Sequence, residues 1–168
     1  VTGVYGVERV KNTIPHRGEI LLVDRVADVR PGESLTAYKA ISGNEPCYAA
    51  LGGDAGARDY AYPVSLVIES WAQSAVLLSV WDSPNPDVLA GKVELAGSLN
   101  EVTMGPRAHP GDVLEHRVRL VKSLGETAVL AGRTLVAGRE VLNVGTFVVA
   151  LRDVTELLPA PGPALLSI

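Results

Sequence analysis

The chain has 168 residues, the length of one ordinary domain; 47% are hydrophobic and 20% charged, enough apolar material for a core of its own. Its 17 glycines and 11 prolines fall short of a disordered composition, and a formal net charge of -4 without a Lys/Arg cluster excludes a nucleic-acid footprint. The single cysteine, Cys47, excludes an internal disulfide framework and a cysteine-rich zinc site, and it fits a cytoplasmic setting.

Residues 1–10 read as short and peripheral, without a positive leader followed by an apolar core. No run reaches the roughly 18 apolar residues of a membrane span, so no membrane is expected. Residues 13–19 read as a turn. Residues 20–29 are strand-like, and Pro31-Gly32 ends them. Residues 34–41 alternate, with Leu35, Ala37 and Lys39 on one face, which predicts a hairpin around Arg30-Pro31-Gly32-Glu33. The stretch 44–62 contains Gly52-Gly53 and Gly56 beside Asp54, Arg58 and Asp59, and reads as a long connection of the kind that forms lids or binding loops.

Pro63 suits the start of a helix. From Val64 to about Val80 no polar stripe is wide enough for a surface helix, so a buried one is expected. Four strands follow, over 89–99, 112–124, 127–137 and 141–153, with a tight turn at Gly138-Arg139-Glu140. A Pro-rich tail, 159–168, follows a single domain over 1–158. One long helix with a mainly antiparallel sheet is an α+β domain. A helix so apolar must be wrapped by the sheet, or shared between the sheet and a second subunit.

Glu69 stands within that helix. A carboxylate there is costly, and burial raises a carboxyl pKa into the range of a general acid or base. The alternative is a buried glutamate bonded to backbone or to a neighbouring subunit. Gln73, one turn further on the same face, is placed to orient it. His16, His109 and His116 are scattered and form no metal site; His16 reads as a turn-capping or channel-side residue. Asp54, Asp59 and Tyr60 offer a substitute acid or donor, or simply a solvated loop. Cys47 lacks a base partner and reads as a small buried hydrophobe. Arg17, Arg58 and Arg107 are candidates for docking an acidic partner.

Four stretches, in order, carry a resemblance: Ile14-Pro15-His16-Arg17 with Leu21-Leu22-Val23-Asp24-Arg25-Val26; Asn44-Glu45-Pro46; Pro63 to Leu66 with Glu69 and Ala72-Gln73; and His109-Pro110-Gly111-Asp112-Val113-Leu114 with the hairpin at Gly138. Over residues 10–153 the chain resembles the hotdog-fold 3-hydroxyacyl-[acyl-carrier-protein] dehydratases. The resemblance implies a hotdog fold, a long central helix wrapped by a curved antiparallel sheet, with two subunits joined edge to edge. It implies a substrate on the phosphopantetheine arm of an acyl carrier protein, no other cofactor, and a catalytic pair made of a loop histidine and a helix carboxylate from the other subunit. Glu69 matches the carboxylate, with Gln73 and His16 in support. Leu51 stands where the family has its histidine, and the loop that follows is several residues longer than in the family. Val64 stands where a small glycine is expected. Tyr48, Asp54, Tyr60, Pro63 and Val64 are the channel or lid candidates.

The expected function is therefore the Glu-contributing subunit of a heteromeric dehydratase. Its partner would be a histidine-bearing hotdog subunit, and the pair would form trans-2-enoyl thioesters in polyketide or fatty-acid-like biosynthesis. A homodimer is the other arrangement. An acyl-thioesterase using Glu69, and a non-catalytic acyl-binding or partner-stabilising protein, are the alternatives.

Overall fold

The computed structural model describes residues 3–157. In chain order the elements are α1 (Val7–Lys11), β1 (Arg25–Arg30), β2 (Ser34–Ala40), α2 (Val64–Ser79), β3 (Lys92–Met104), β4 (Val113–Leu124), β5 (Thr127–Val136), β6 (Arg139–Asp153) and a last turn, α3 (Val154–Leu157). The Pro-rich segment expected at 159–168 lies outside the described residues.

The six strands form one sheet in the order β1-β2-β4-β5-β6-β3, antiparallel at every pairing. Alternation fixes which face each strand buries. In β2, Leu35, Ala37 and Lys39 point inward; in β4, Leu114, His116 and Val118 do so while Arg117 and Arg119 point out. The β5–β6 turn takes Ala137 and Gly138 through left-handed φ angles of 49° and 79°, as a two-residue hairpin of matching twist requires. β6 therefore begins at Arg139, inside the turn expected from sequence. β3 starts three residues later than expected and runs five further. It is an edge strand exposed along most of its length, so its apolar alternation is weak.

The expected curved sheet wrapped around a central helix is corrected. The sheet is open, neither closed nor strongly curled, with β1 and β3 at its two edges. Helix α2 packs chiefly on β4 and also meets β2, β5 and β6, on one face of the sheet. β3 pairs with β6 alone and lies mostly exposed, so no strand curls over the far side of the helix.

As a result α2 is buried on one side only. Val67, Ser70, Trp71, Ser74, Ala75, Leu77 and Leu78 face the sheet and the loops packed beside it. Trp71 is fully buried, and its ring meets Phe147 of β6 edge-on at 5.8 Å, a geometry worth about 1 kcal/mol beyond area burial. The opposite stripe of Ser65, Glu69, Ala72, Val76 and Ser79 is exposed or half-exposed. This unsheathed stripe, in place of a helix buried all round, carries the candidate site.

Candidate active site

The site is assembled by the segment that precedes β1. The guanidinium of Arg17 donates to three carbonyls, from Nη1 to Ile14 and His16 and from Nη2 to Lys11, each at 2.7 Å. These bonds hold the Ile-Pro-His-Arg turn in shape and engage the arginine itself. A short 3₁₀ turn, Gly18–Ile20, then directs the Ile20 carbonyl and the Leu22 N–H at α2.

Gln73 receives them. Its Nε2 donates to the Ile20 carbonyl at 2.6 Å and to Glu69 Oε1 at 2.8 Å, while its Oε1 accepts from Leu22 N–H at 3.0 Å. Both amide hydrogens are used, and the orientation of the amide follows from its neighbours. Gln73 is buried, so these bonds are made away from competing water. Glu69 is thereby held at one oxygen. Among the described residues its Oε2 has no hydrogen bond, and the side chain keeps 36% of its surface exposed. It is not the fully buried carboxylate that the apolar helix predicts, because the sheet leaves this side of α2 uncovered.

His16 completes the cluster. Its Nε2 lies 3.5 Å from Glu69 Oε1, beyond a good hydrogen bond, and its side chain is 27% exposed. Burial pulls the imidazole pKa below its ordinary value; Glu69 opposes this and Arg17 adds to it. Burial thus favours the neutral imidazole at His16. Its Nδ1 is buried and has no partner among the described residues.

The connection 44–62 folds on itself and on the core. Glu45 accepts from Lys39 Nζ at 2.5 Å and from Ser42 N–H at 3.2 Å, which gives the Asn-Glu-Pro stretch a structural task. Tyr48 donates from its hydroxyl to the Tyr60 carbonyl at 3.1 Å, and the two rings sit 5.4 Å apart. Mainly through burial, the Tyr48 hydroxyl is pushed up to about 12. Leu51 follows this turn and is half-buried against the core. Asp54 and Asp59 are exposed, and Asp59 Oδ2 accepts from Gly56 N–H at 2.8 Å in a local turn. Cys47 is exposed, against the expected buried thiol.

Val64 lines a cavity of only about 10 Å³ with Tyr62, Val67, Met104 and Arg107 among its walls. Pro63 caps α2 without a side-chain bond. Arg58 and Arg107 are exposed. His109 lies in the β3–β4 connection, where its N–H donates to Asp112 at 2.9 Å. The structure thus brings His16, Glu69 and Gln73 together, with Arg17 bonded to the His16 carbonyl, while Tyr48 and Tyr60 pair with each other in the 44–62 connection.

Sequence reading missed a second polar cluster. Ser70 Oγ lies 2.8 Å from His116 Nε2, and His116 Nδ1 lies 2.8 Å from Thr134 Oγ1, tying α2 to β4 and β5 inside the core. Burial pushes the His116 pKa down to about 3, so the ring is neutral, donating through one nitrogen and accepting through the other. The sole signal was that each of the three occupies an inward position of its own element. Among the described residues no group of three or more His, Cys, Asp or Glu is placed to hold a metal ion, and no helix is long and apolar enough to cross a membrane.

No protein-family model matches the chain. Relatives do. The 3-hydroxyacyl-[acyl-carrier-protein] dehydratase FabZ of Anaeromyxobacter sp. is 33% identical over 150 residues, covering 89% of this chain and 92% of that protein. FabZ of Campylobacter hominis is 33% identical over 130 residues, 77% of this chain and 86% of that one. Among solved structures, the dehydratase heterocomplex ApeI:P from Xenorhabdus doucetiae matches with a TM-score of 0.70 over 88% of this chain and 93% of that one; at 17% identity this is a likeness of fold. At 33% identity over most of both chains, the chain belongs to the FabZ family of 3-hydroxyacyl-[acyl-carrier-protein] dehydratases.

Proposed function

We propose that the chain is the Glu69-bearing subunit of a dehydratase that acts on carrier-bound 3-hydroxyacyl thioesters, and that a related subunit supplies the histidine. The observation that carries this reading is the half-made coordination of Glu69. Gln73 fixes Oε1 from a buried amide, while Oε2 has no hydrogen bond among the described residues and stands on an uncovered helix face, where a substrate or a second subunit can reach it.

The chemistry needs two groups. A histidine takes the proton from C2, and the electron pair of that C–H bond becomes the second bond between C2 and C3. The C3–O bond breaks, and Glu69 passes a proton to the departing oxygen so that it leaves as water. Hydroxide is a poor leaving group, so the second proton transfer matters as much as the first. Leu51, at the position of the family's histidine, can do neither. A partner with its own loop histidine, set against the exposed stripe of α2, would complete one pocket per pair. The heterocomplex named for the Xenorhabdus doucetiae dehydratase is a precedent for such pairing in this fold.

The test is co-expression of the chain with its genomic neighbours, followed by native mass and dehydration assays. A 1:1 complex that dehydrates a 3-hydroxyacyl thioester, and loses at least ~100-fold in kcat on Glu69→Gln, supports the reading. Equal activity of the isolated chain sinks it.

One observation favours a second reading. His16 stands 3.5 Å from Glu69 in the same chain, so a homodimer could work with His16 as its histidine. Loss of activity of the isolated chain on His16→Asn would single out that version.

A further inference from the structure

The face of the sheet turned away from α2 holds an open cavity of about 840 Å³, separate from Glu69. This is the size of a small-molecule site. Its walls include four of the chain's eleven arginines: Arg30, Arg117, Arg119 and Arg133. We infer that this cavity binds a small organic anion of the diphosphate class, with two adjacent anionic groups.

The register of the strands makes the case. Thr36 of β2 pairs with Arg117 of β4, Arg117 with Arg133 of β5, and Arg133 with Asn143 of β6, giving one row of donors across four strands. Arg30 pairs with Ser34, and Ser34 with Arg119, giving a second row. Arg117 and Arg119 are two residues apart on one strand face, so the rows lie about 7 Å apart. Each row can take one anionic group, and guanidinium forks match phosphate oxygens.

Two features show that this surface costs the fold something. First, Arg117 and Arg133 are direct cross-strand neighbours, an arrangement of like charges that destabilises a sheet. Glu115 offsets Arg117 at 2.6 Å and Glu140 reaches Arg133 at 3.8 Å, but among the described residues Arg30 and Arg119 have no ion-pair partner. Second, among the described residues three non-glycine residues have left-handed φ angles, and two of them, Asp28 at 50° and Glu101 at 54°, lie on the rim of this cavity. Strained residues of this kind concentrate at binding sites. The floor is kept low by glycine: a Cβ at Gly132 would stand 2.1 Å from the Arg117 carbonyl oxygen. An anion between the rows relieves the repulsion, and the two rim carboxylates are placed to accept from hydroxyl or amino groups on the same ligand.

Inorganic pyrophosphate is the probe, titrated into the full chain at low salt by calorimetry. Saturable 1:1 binding is expected, weakened at least ~10-fold in Arg30→Gln/Arg119→Gln and unchanged in Glu69→Gln, which separates this site from the proposed dehydration site. These arginines are exposed, and unchanged thermal melting of the variant checks its fold. Absence of saturable binding at millimolar pyrophosphate, or binding that survives the double substitution, overturns the inference. So does capture of an acidic carrier protein by this face without pyrophosphate binding.

Discussion

His116 should make the fold acid-sensitive in a way that one substitution removes. In the folded chain its pKa is about 3, because the ring is buried between Ser70 and Thr134; in the unfolded chain it returns to about 6.5. Below pH 6.5 the unfolded chain binds a proton that the folded chain refuses. Stability from this residue is therefore complete above pH 6.5 and drains away as pH falls towards 3, at about 1.4 kcal/mol per pH unit. Between pH 7 and pH 5 the loss from His116 alone is about 2 kcal/mol. The assay is urea unfolding at both pH values and constant ionic strength, on the natural chain and on His116→Gln. The variant should be less stable at pH 7 by about 1–3 kcal/mol, because Ser70 and Thr134 lose geometry, yet it should lose about 2 kcal/mol less on acidification. His16 and the carboxylates titrate in both proteins and cancel in the comparison. A natural chain and variant that lose stability in parallel would refute the buried, neutral ring. A triple replacement, Ser70→Ala/His116→Leu/Thr134→Val, removes all three polar partners together; it should match His116→Leu in pH dependence, since both lack the imidazole, and be more stable than it at pH 7, since no hydroxyl is left unpaired.

Gln73→Ala should cost about 2–4 kcal/mol by chemical denaturation, since the Ile20 carbonyl and Leu22 N–H lose their partner, and, on the proposed role of Glu69, should lower kcat of the proposed dehydratase complex with little change in KM. Glu45→Gln leaves the Lys39 ammonium without its counter-charge in a nearly buried site; a loss of about 2–4 kcal/mol is expected, with faster tryptic cleavage at Arg58 as the 44–62 connection loosens. Gly132→Ala should reduce stability by more than about 2 kcal/mol, because the new methyl meets backbone of β4 and not a side chain that can swing away; an unchanged melting temperature would contradict that contact.

Strand faces and the long helix were legible because each is a local pattern. Leu35, Ala37 and Lys39 alternate within one strand, and the Val64–Ser79 helix is bounded by proline and a turn. The curvature of the sheet was not legible, since no local pattern states whether β3 stays at an edge or curls over α2. The exposure of Glu69 follows from that same global fact, which is why a helix apolar nearly all round in sequence has an uncovered stripe in space. Arg17 reads from sequence as a candidate for docking an acidic partner because an arginine advertises charge; its three carbonyl bonds depend on a turn geometry that composition does not encode. The Ser70–His116–Thr134 cluster was invisible for the same reason, joining three elements up to 64 positions apart through the β4–β5 register and the seating of α2.

The two proposed sites, on opposite faces of one sheet, would place different demands on it. Glu69 needs a rigid support on one side and an open approach on the other. Gln73 supplies the support through a buried amide whose donors and acceptor are used, and the open sheet supplies the approach. A sheet curled fully around α2 would have buried the carboxylate and forced it to pair or to neutralise. An open sheet also leaves its outer face free, and there the chain tolerates aligned arginines and left-handed rim residues that stability alone would not favour. Local departures from the sequence rules of a stable sheet thus fall where a ligand or a second subunit could repay them, and the core between the faces, from Trp71 to Phe147, follows those rules closely.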